Sequence, residues 1–291
     1  MSVTFVATVC GIITAGGYGV GDWLTAKASK KTNKFDVNLA VQFFGTLILL
    51  PFLLTTHVRV PSFAQIGITL IISCCITTAY LLLIKALSIG SVGTVVPLSY
   101  GYPLPALLLS LIFLGTRFSG AQLVAMFCII AGAIMLAYQK NQRQIPLRKL
   151  HEASLLAIIS MLVYGVDFFL VGTLITKLPW QILDVSVSLF LAMTAFILVL
   201  VSNRRNRLSA IKRALTNKTT FYAGISFSVG SIVFYVGSHR AGNIIIPTVL
   251  SSCAPLVASL LGATFDKEKI GILKRIGAVV VVTGIIILNV A

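Results

Sequence analysis

Acidic residues are scarce in this chain: its 291 positions hold 7 Asp and Glu against 23 Lys and Arg, and charges of both signs make up only 10%. A soluble domain carries about 25% charged residues, so a water-facing surface of ordinary composition is excluded. Cysteine is sparse too. Cys10, Cys74, Cys75, Cys128 and Cys253 are odd in number and form neither a CxxC pair nor a Cys/His cluster, which argues against a disulfide framework or a metal site. They read instead as small apolar residues buried within helices. The three histidines, His57, His151 and His239, fall between apolar runs, and neither GxSxG nor HExxH occurs. A membrane-embedded enzyme would need such groups inside the bilayer, so the chain is expected to be no enzyme and to hold no cofactor or metal. A Walker GxxxxGK[ST] sequence is also missing, which removes a built-in ATPase.

What the chain has instead is apolar length. Aliphatic, aromatic and cysteine residues fill 57% of it and the mean hydropathy is +1.01. A membrane span takes about 20 mostly apolar residues, because the hydrocarbon core is roughly 30 Å thick and a helix rises about 1.5 Å per residue. Ten such runs occur near residues 3–25, 37–55, 65–87, 91–114, 119–138, 153–176, 180–201, 219–238, 242–263 and 271–290. They are apolar on all sides, whereas barrel strands alternate, so each reads as a helix. The first run lacks a basic n-region and is span-length, so it is expected to be a retained span rather than a signal peptide.

The net charge of +16 does not point to nucleic acid, because basic residues in such proteins gather on one folded surface. Here they lie in the gaps between spans. Alternate gaps hold 19 of the 23 basic residues and the other gaps the remaining 4. Cytoplasmic loops carry the Lys/Arg excess, so residues 139–152 read as a basic cytoplasmic linker and both termini as outside. The expected location is a cell membrane, plasma or bacterial inner, with lipid as the solvent of the fold.

Residues 86–136 and 237–288 look alike. Pro97 and Pro247 match at an offset of 150, as do Pro105 and Pro255, and Gly93 and Asn243; after two inserted residues Gly132 matches Gly284. The first spans of the halves agree as well: Tyr18-Gly19-Val20 with Asp22 following, against Tyr164-Gly165-Val166 with Asp167. The chain thus divides into residues 1–138 and 153–291, five helices each. An odd number of spans per half inverts the second against the first, an arrangement typical of secondary transporters. Proline inside a span removes a backbone hydrogen bond and is tolerated where protein or a cavity re-satisfies the backbone. Paired prolines in spans four and nine therefore point to a central cavity, although Pro is common in membrane helices generally.

These features resemble the EamA branch of the drug/metabolite transporter superfamily. In that family each half ends with a proline-kinked helix, a short turn commonly written LGE, and a Gly opening the last helix. The second half here has Pro255, Glu268 and Ile276-Gly277-Ala278; the first keeps the frame in LGTRFSGAQ from Leu114 to Gln122, with Thr116 in place of Glu and Ala125 in place of Gly. The opening YGVGDWLTAK, ending at Lys27, resembles the family's first helix. The resemblance implies an all-α membrane fold of two inverted five-helix repeats, a cavity lined by spans one, three, four, six, eight and nine, and export of amino acids, metabolites or drugs. It also implies both termini in the cytoplasm, against the Lys/Arg count.

An ionisable residue at mid-membrane costs at least about 2.5 to 3.5 kcal/mol on insertion scales, so it normally faces a cavity or a partner. Asp167, near the middle of span six beside Tyr164, is the leading candidate. Its carboxylate would bind a substrate amino group or a proton, or would be bonded to a hydroxyl on a neighbouring helix. Asp22 lies close to the basic gap, where an ion pair with Lys27 competes with substrate contact. Tyr18, Tyr100, Tyr102 and Tyr235 offer an apolar face with a polar tip, suited either to a cavity wall or to ordinary packing. Small residues in spans one and eight, Gly17 and Gly230 among them, let helices approach closely. Asp266 and Glu268 share a turn with Lys267 and Lys269, and His239 with Arg240 reads as a solvated gap.

The expectation is a secondary carrier exporting a small amphiphilic solute such as an amino acid by alternating access, with proton coupling open. Channel activity or membrane assembly is the alternative.

Overall fold

The computed structural model describes residues 3–29, 32–56, 61–90, 92–138, 147–201, 207–265 and 271–290. The turn at 266–269, His57, and residues 139–146 of the linker lie outside the described residues, as do Lys30, Lys31, Arg59, Lys140, Arg143, Arg204 and Arg205 of the charge count. The helices are α1 (Val3–Ser29), α2 (Lys34–Leu49, continued by a 3-10 turn Leu50–Thr55), α3 (Phe63–Ile89), α4 (Val92–Ser99), α5 (Pro103–Phe113) and α6 (Gly120–Ala137) in the first half. The second half has α7 (Leu147–Leu174), α8 (Trp180–Val201), α9 (Arg207–Leu215), α10 (Lys218–Ala241), α11 (Ile245–Ser251), α12 (Ala254–Phe265) and α13 (Ile272–Val290). Ten units among the described residues are long and apolar enough to span a membrane, α4 with α5 and α11 with α12 each counting as one. Large apolar side chains such as Phe5, Ile12, Leu47, Ile112, Phe196 and Val279 stay exposed on their outer faces, as helices solvated by lipid allow.

Several helix ends follow local chemistry that hydropathy does not record. Spans three and five both open on a capping box: Ser62 and Gln65 bond reciprocally across the first turn, as do Ser119 and Gln122, satisfying donors that a helix start leaves orphaned. Gly242 ends α10 in the left-handed region at φ 61°, which favours glycine. His239 and Arg240 therefore sit in the last turn of α10 and not in an open gap. At the other end of the second half, α7 begins at Leu147, so His151 is helical.

Spans four and nine are both broken between their matched prolines, Pro97 and Pro105 in one and Pro247 and Pro255 in the other. Pro97 lies inside α4 and Pro103 starts α5; between them Gly101 N–H donates to Leu98 O and Tyr102 N–H to Ser99 O, three residues back. In span nine the break falls at Ser252 and Cys253, with Cys253 N–H donating to Leu250 O and Leu256 N–H to Cys253 O. Pro105 and Pro255 stand just beyond each break and lack the N–H that would continue the α-helical ladder, so tight three-residue turns take up the carbonyls.

Close contacts through small residues fix the helices around these breaks. A Cβ on Gly17 would lie 2.7 Å from Gly230 Cα, and hydroxyls complete the seam: Ser226 Oγ donates to Gly17 O at 2.8 Å and Thr14 Oγ1 to Gly230 O at 3.2 Å. The fifth and tenth spans meet in the same manner. A Cβ on Gly132 would stand 2.7 Å from Gly277 O, and one on Gly284 2.9 Å from Ala125 O. The repeat-related Gly132 and Gly284 thus serve one crossing between the halves. The cysteines correct the expectation of uniform burial: Cys253 is buried, Cys10, Cys75 and Cys128 are half-buried, and Cys74 is exposed, since a thiol is apolar enough to face lipid.

Candidate solute cavity

The helix breaks leave room at the centre. A cavity of about 430 Å³ is walled by spans one to four and six to nine, within the roughly 300–1,000 Å³ typical of small-molecule sites. Spans five and ten contribute nothing to the wall, being engaged with each other. Spans two and seven were not expected in it. They enter through Asn38, Gln42 and Gly45 and through Asp184, Ser188 and Leu191, because α2 and α8 are tied in by hydroxyl-to-carbonyl bonds. Thr46 Oγ1 donates to Ser188 O at 3.1 Å and Ser73 Oγ to Val187 O at 3.2 Å, while Thr77 and Thr194 share a 2.9 Å hydroxyl pair.

All seven expected polar candidates, Tyr18, Asp22, Tyr100, Tyr102, Tyr164, Asp167 and Tyr235, line the cavity. Pro97, Pro105, Pro247 and Pro255 do not; they act at one remove by making the breaks. The breaks present their polar residues to one another: Tyr102 OH and Ser251 Oγ lie 3.0 Å apart, joining span four to span nine. Tyr102 also stacks on Phe168 at 4.9 Å between centroids, Phe168 meets Phe234 edge-on at 5.6 Å, and Phe234 meets Tyr235 at 5.5 Å. An aromatic track therefore runs along the wall from one half to the other.

The carboxylates differ in their partners. Asp22 accepts the Tyr100 hydroxyl at 3.0 Å, and Lys27 lies instead over the Trp23 ring, 4.0 Å from its centroid. Asp167 is 4% exposed and its Oδ1 has no hydrogen-bond partner, so the alternative of a carboxylate secured by a neighbouring hydroxyl does not describe that oxygen. Sequence reasoning missed a third carboxylate. Asp184, 1% exposed, accepts Ser231 Oγ at 2.6 Å through Oδ1 and leaves Oδ2 without a partner. It falls a few residues inside span seven, so the rule that singled out Asp167 applies to it equally. Tyr80 joins the wall as well.

The cavity wall extends toward both ends of the bundle. Its wall reaches Thr25, Asn38 and Ala195, within two turns of the ends of α1, α2 and α8 that border the basic gaps. Toward the opposite end the wall reaches Leu49, Val171 and Asp184, and beyond them Leu174, Ile175, Leu183 and Ile245, each 1% exposed or less, form an apolar layer. His239 Nδ1 lies 2.6 Å from Ile175 O across that layer. Beyond it, His239, Arg240 and Lys177 line a separate hollow with Trp180 and Gln181.

The model of the EamA-like transporter family matches residues 5–138 and 152–290. The chain belongs to this family. It is accordingly a multi-pass cell-membrane protein that transports small solutes, and the two matched segments coincide with the two halves seen in the fold. A solved crystal structure, described only as that of a protein, is 16% identical with a TM-score of 0.74 over 98% of this chain and 96% of its own, and so shares the fold. No curated protein matches the chain. Within the family's first-half turn, Gly115 has φ 61°, a backbone conformation that explains the glycine of Leu114-Gly115-Thr116.

Proposed function

We propose that this EamA-like transporter is a secondary carrier that exports a small, amphiphilic, amine-bearing metabolite by alternating access, with residues 1–138 and 153–291 as its inverted repeats and 139–152 as their cytoplasmic linker. The observation that carries this reading is the cavity itself. It lies where the proline-broken spans of both halves meet and holds carboxylates and hydroxyls at a depth where polar groups are expensive. Helix breaks at a repeat interface are where secondary transporters bind solute. The Lys/Arg bias assigns the end near Thr25, Asn38 and Ala195 to the cytoplasm, the side from which export would load. Asp167, Asp22, Tyr18, Tyr164, Tyr100, Tyr102 and Tyr235 are the proposed contacts for solute, and Asp167 the proposed coupling residue if protons drive the cycle.

The test is counterflow in proteoliposomes of purified protein with labelled amino acids, amines, sugars and nucleosides, with and without a pH gradient. Accelerated exchange of one class, saturable and competed by that class alone, is the expected result. Flux that does not saturate would make the protein a channel.

A further inference from the structure

Three carboxylates, Asp22, Asp167 and Asp184, face one cavity, and among the described residues no Lys, Arg or His lines it. Such a cluster does not by itself make a site. The deciding observation is that Asp167 Oδ1 and Asp184 Oδ2 are buried without partners in side chains 4% and 1% exposed. Buried charges are normally paired, and among the described residues no countercharge lines this cavity. The remaining wall is aromatic, with Tyr102 stacked on Phe168 and Phe168 against Phe234. Ring faces attract cations, the more so when desolvated. Among the described residues no three His, Cys, Asp or Glu side chains stand close enough to hold one metal ion. The acidic groups are spread along the wall, matching an extended organic solute.

We propose that the solute is an organic cation, an amine or quaternary ammonium compound without a carboxylate of its own. The inference rests on the carrier reading of the same cavity and narrows it. A zwitterionic amino acid would place its carboxylate among Asp22, Asp167 and Asp184, where among the described residues no cationic side chain lines the cavity, whereas a cation brings the countercharge and lies against the rings.

The test compares three para-substituted aromatic solutes of closely similar frame and different charge: methyl 4-(trimethylammonio)benzoate, a cation; 4-(trimethylammonio)benzoate, a zwitterion; and 4-tert-butylbenzoate, an anion. Binding to the purified wild-type protein is measured by titration calorimetry, so the result does not depend on a variant folding. The cation is expected to bind at least about tenfold tighter than the zwitterion, a gap of about 1.4 kcal/mol, and the anion not at all. Asp184→Asn should remove most of that preference. Equal or tighter binding of the zwitterion, or no binding of the cation, overturns the proposal. Counterflow separates the two readings. Cation binding without exchange would uphold the charge inference and sink the carrier; exchange of the zwitterion that the cation fails to compete would do the reverse.

Discussion

The first spans of the two halves, α1 and α7, carry matching Tyr-Gly-Val segments, each with an aspartate close behind, and the structure treats them differently. Asp22 of α1 is held by Tyr100 from the break in span four, while Asp167 of α7 keeps an oxygen with no partner. The repeat-related tyrosines, Tyr18 and Tyr164, both reach the cavity. The matched helices pack alike, but the aspartates stand four and three residues after their tyrosines, and at the repeat offset of 150 Tyr100 is matched by Leu250, which has no hydroxyl to offer. The satisfied carboxylate is suited to holding the wall together and the unsatisfied one to meeting a solute.

The largest effect that would break this comparison is expected at the unpartnered residue. Asp167→Asn should lower counterflow by about 100-fold or more, since it removes a charged contact worth roughly 3 kcal/mol, while the protein remains folded and membrane-inserted. Unchanged transport and unchanged dependence on pH would strip Asp167 of any role in solute or proton binding.

A smaller effect is expected at the partnered residue. Tyr100→Phe frees Asp22 and makes it resemble Asp167. It should cost about 1.5 to 3 kcal/mol of stability, the range for a hydrogen bond to a charged group, read as a lower melting temperature in detergent, with transport reduced less than by Asp167→Asn. If Tyr100→Phe and Asp167→Asn impaired transport equally, the distinction between the two carboxylates would collapse.

The smallest effect on transport should come from the seam that positions α1. A methyl group at Gly17 would meet the backbone of Gly230 at 2.7 Å, whereas one at Gly16 would have nothing within 4 Å. Gly17→Ala should therefore cost about 1 to 3 kcal/mol, the usual penalty for overpacking, and Gly16→Ala close to none. Thermal melting of the two variants side by side checks it, and equal melting would mean that α1 is not held by this contact.

Much of the site is legible in the sequence because membrane burial makes polar residues conspicuous. Asp167 stands out in an apolar run, and the paired prolines mark the spans that break. Less legible is anything that depends on the neighbouring helix. The Asp22 partner lies 78 residues away in span four, so the nearby Lys27 is the better match from sequence. Spans two and seven join the wall through single hydroxyls on carbonyls, and a Thr or Ser bonded across helices has the same sequence signature as one bonded to its own turn. The end of α10 reads too early because hydropathy falls at His239, while the backbone continues to the left-handed Gly242.

By itself the sequence determined the ten spans, the division into two halves and the positions of the helix breaks, because each follows from properties local to the chain: apolar length against bilayer thickness, and proline's missing N–H. Tertiary structure alone decided which carboxylates are satisfied, that Asp184 shares a cavity with Asp22 and Asp167, and that the aromatic track joins the halves. Those outcomes depend on which helices meet and on the glycines that let them approach, a many-body packing result that no single segment encodes.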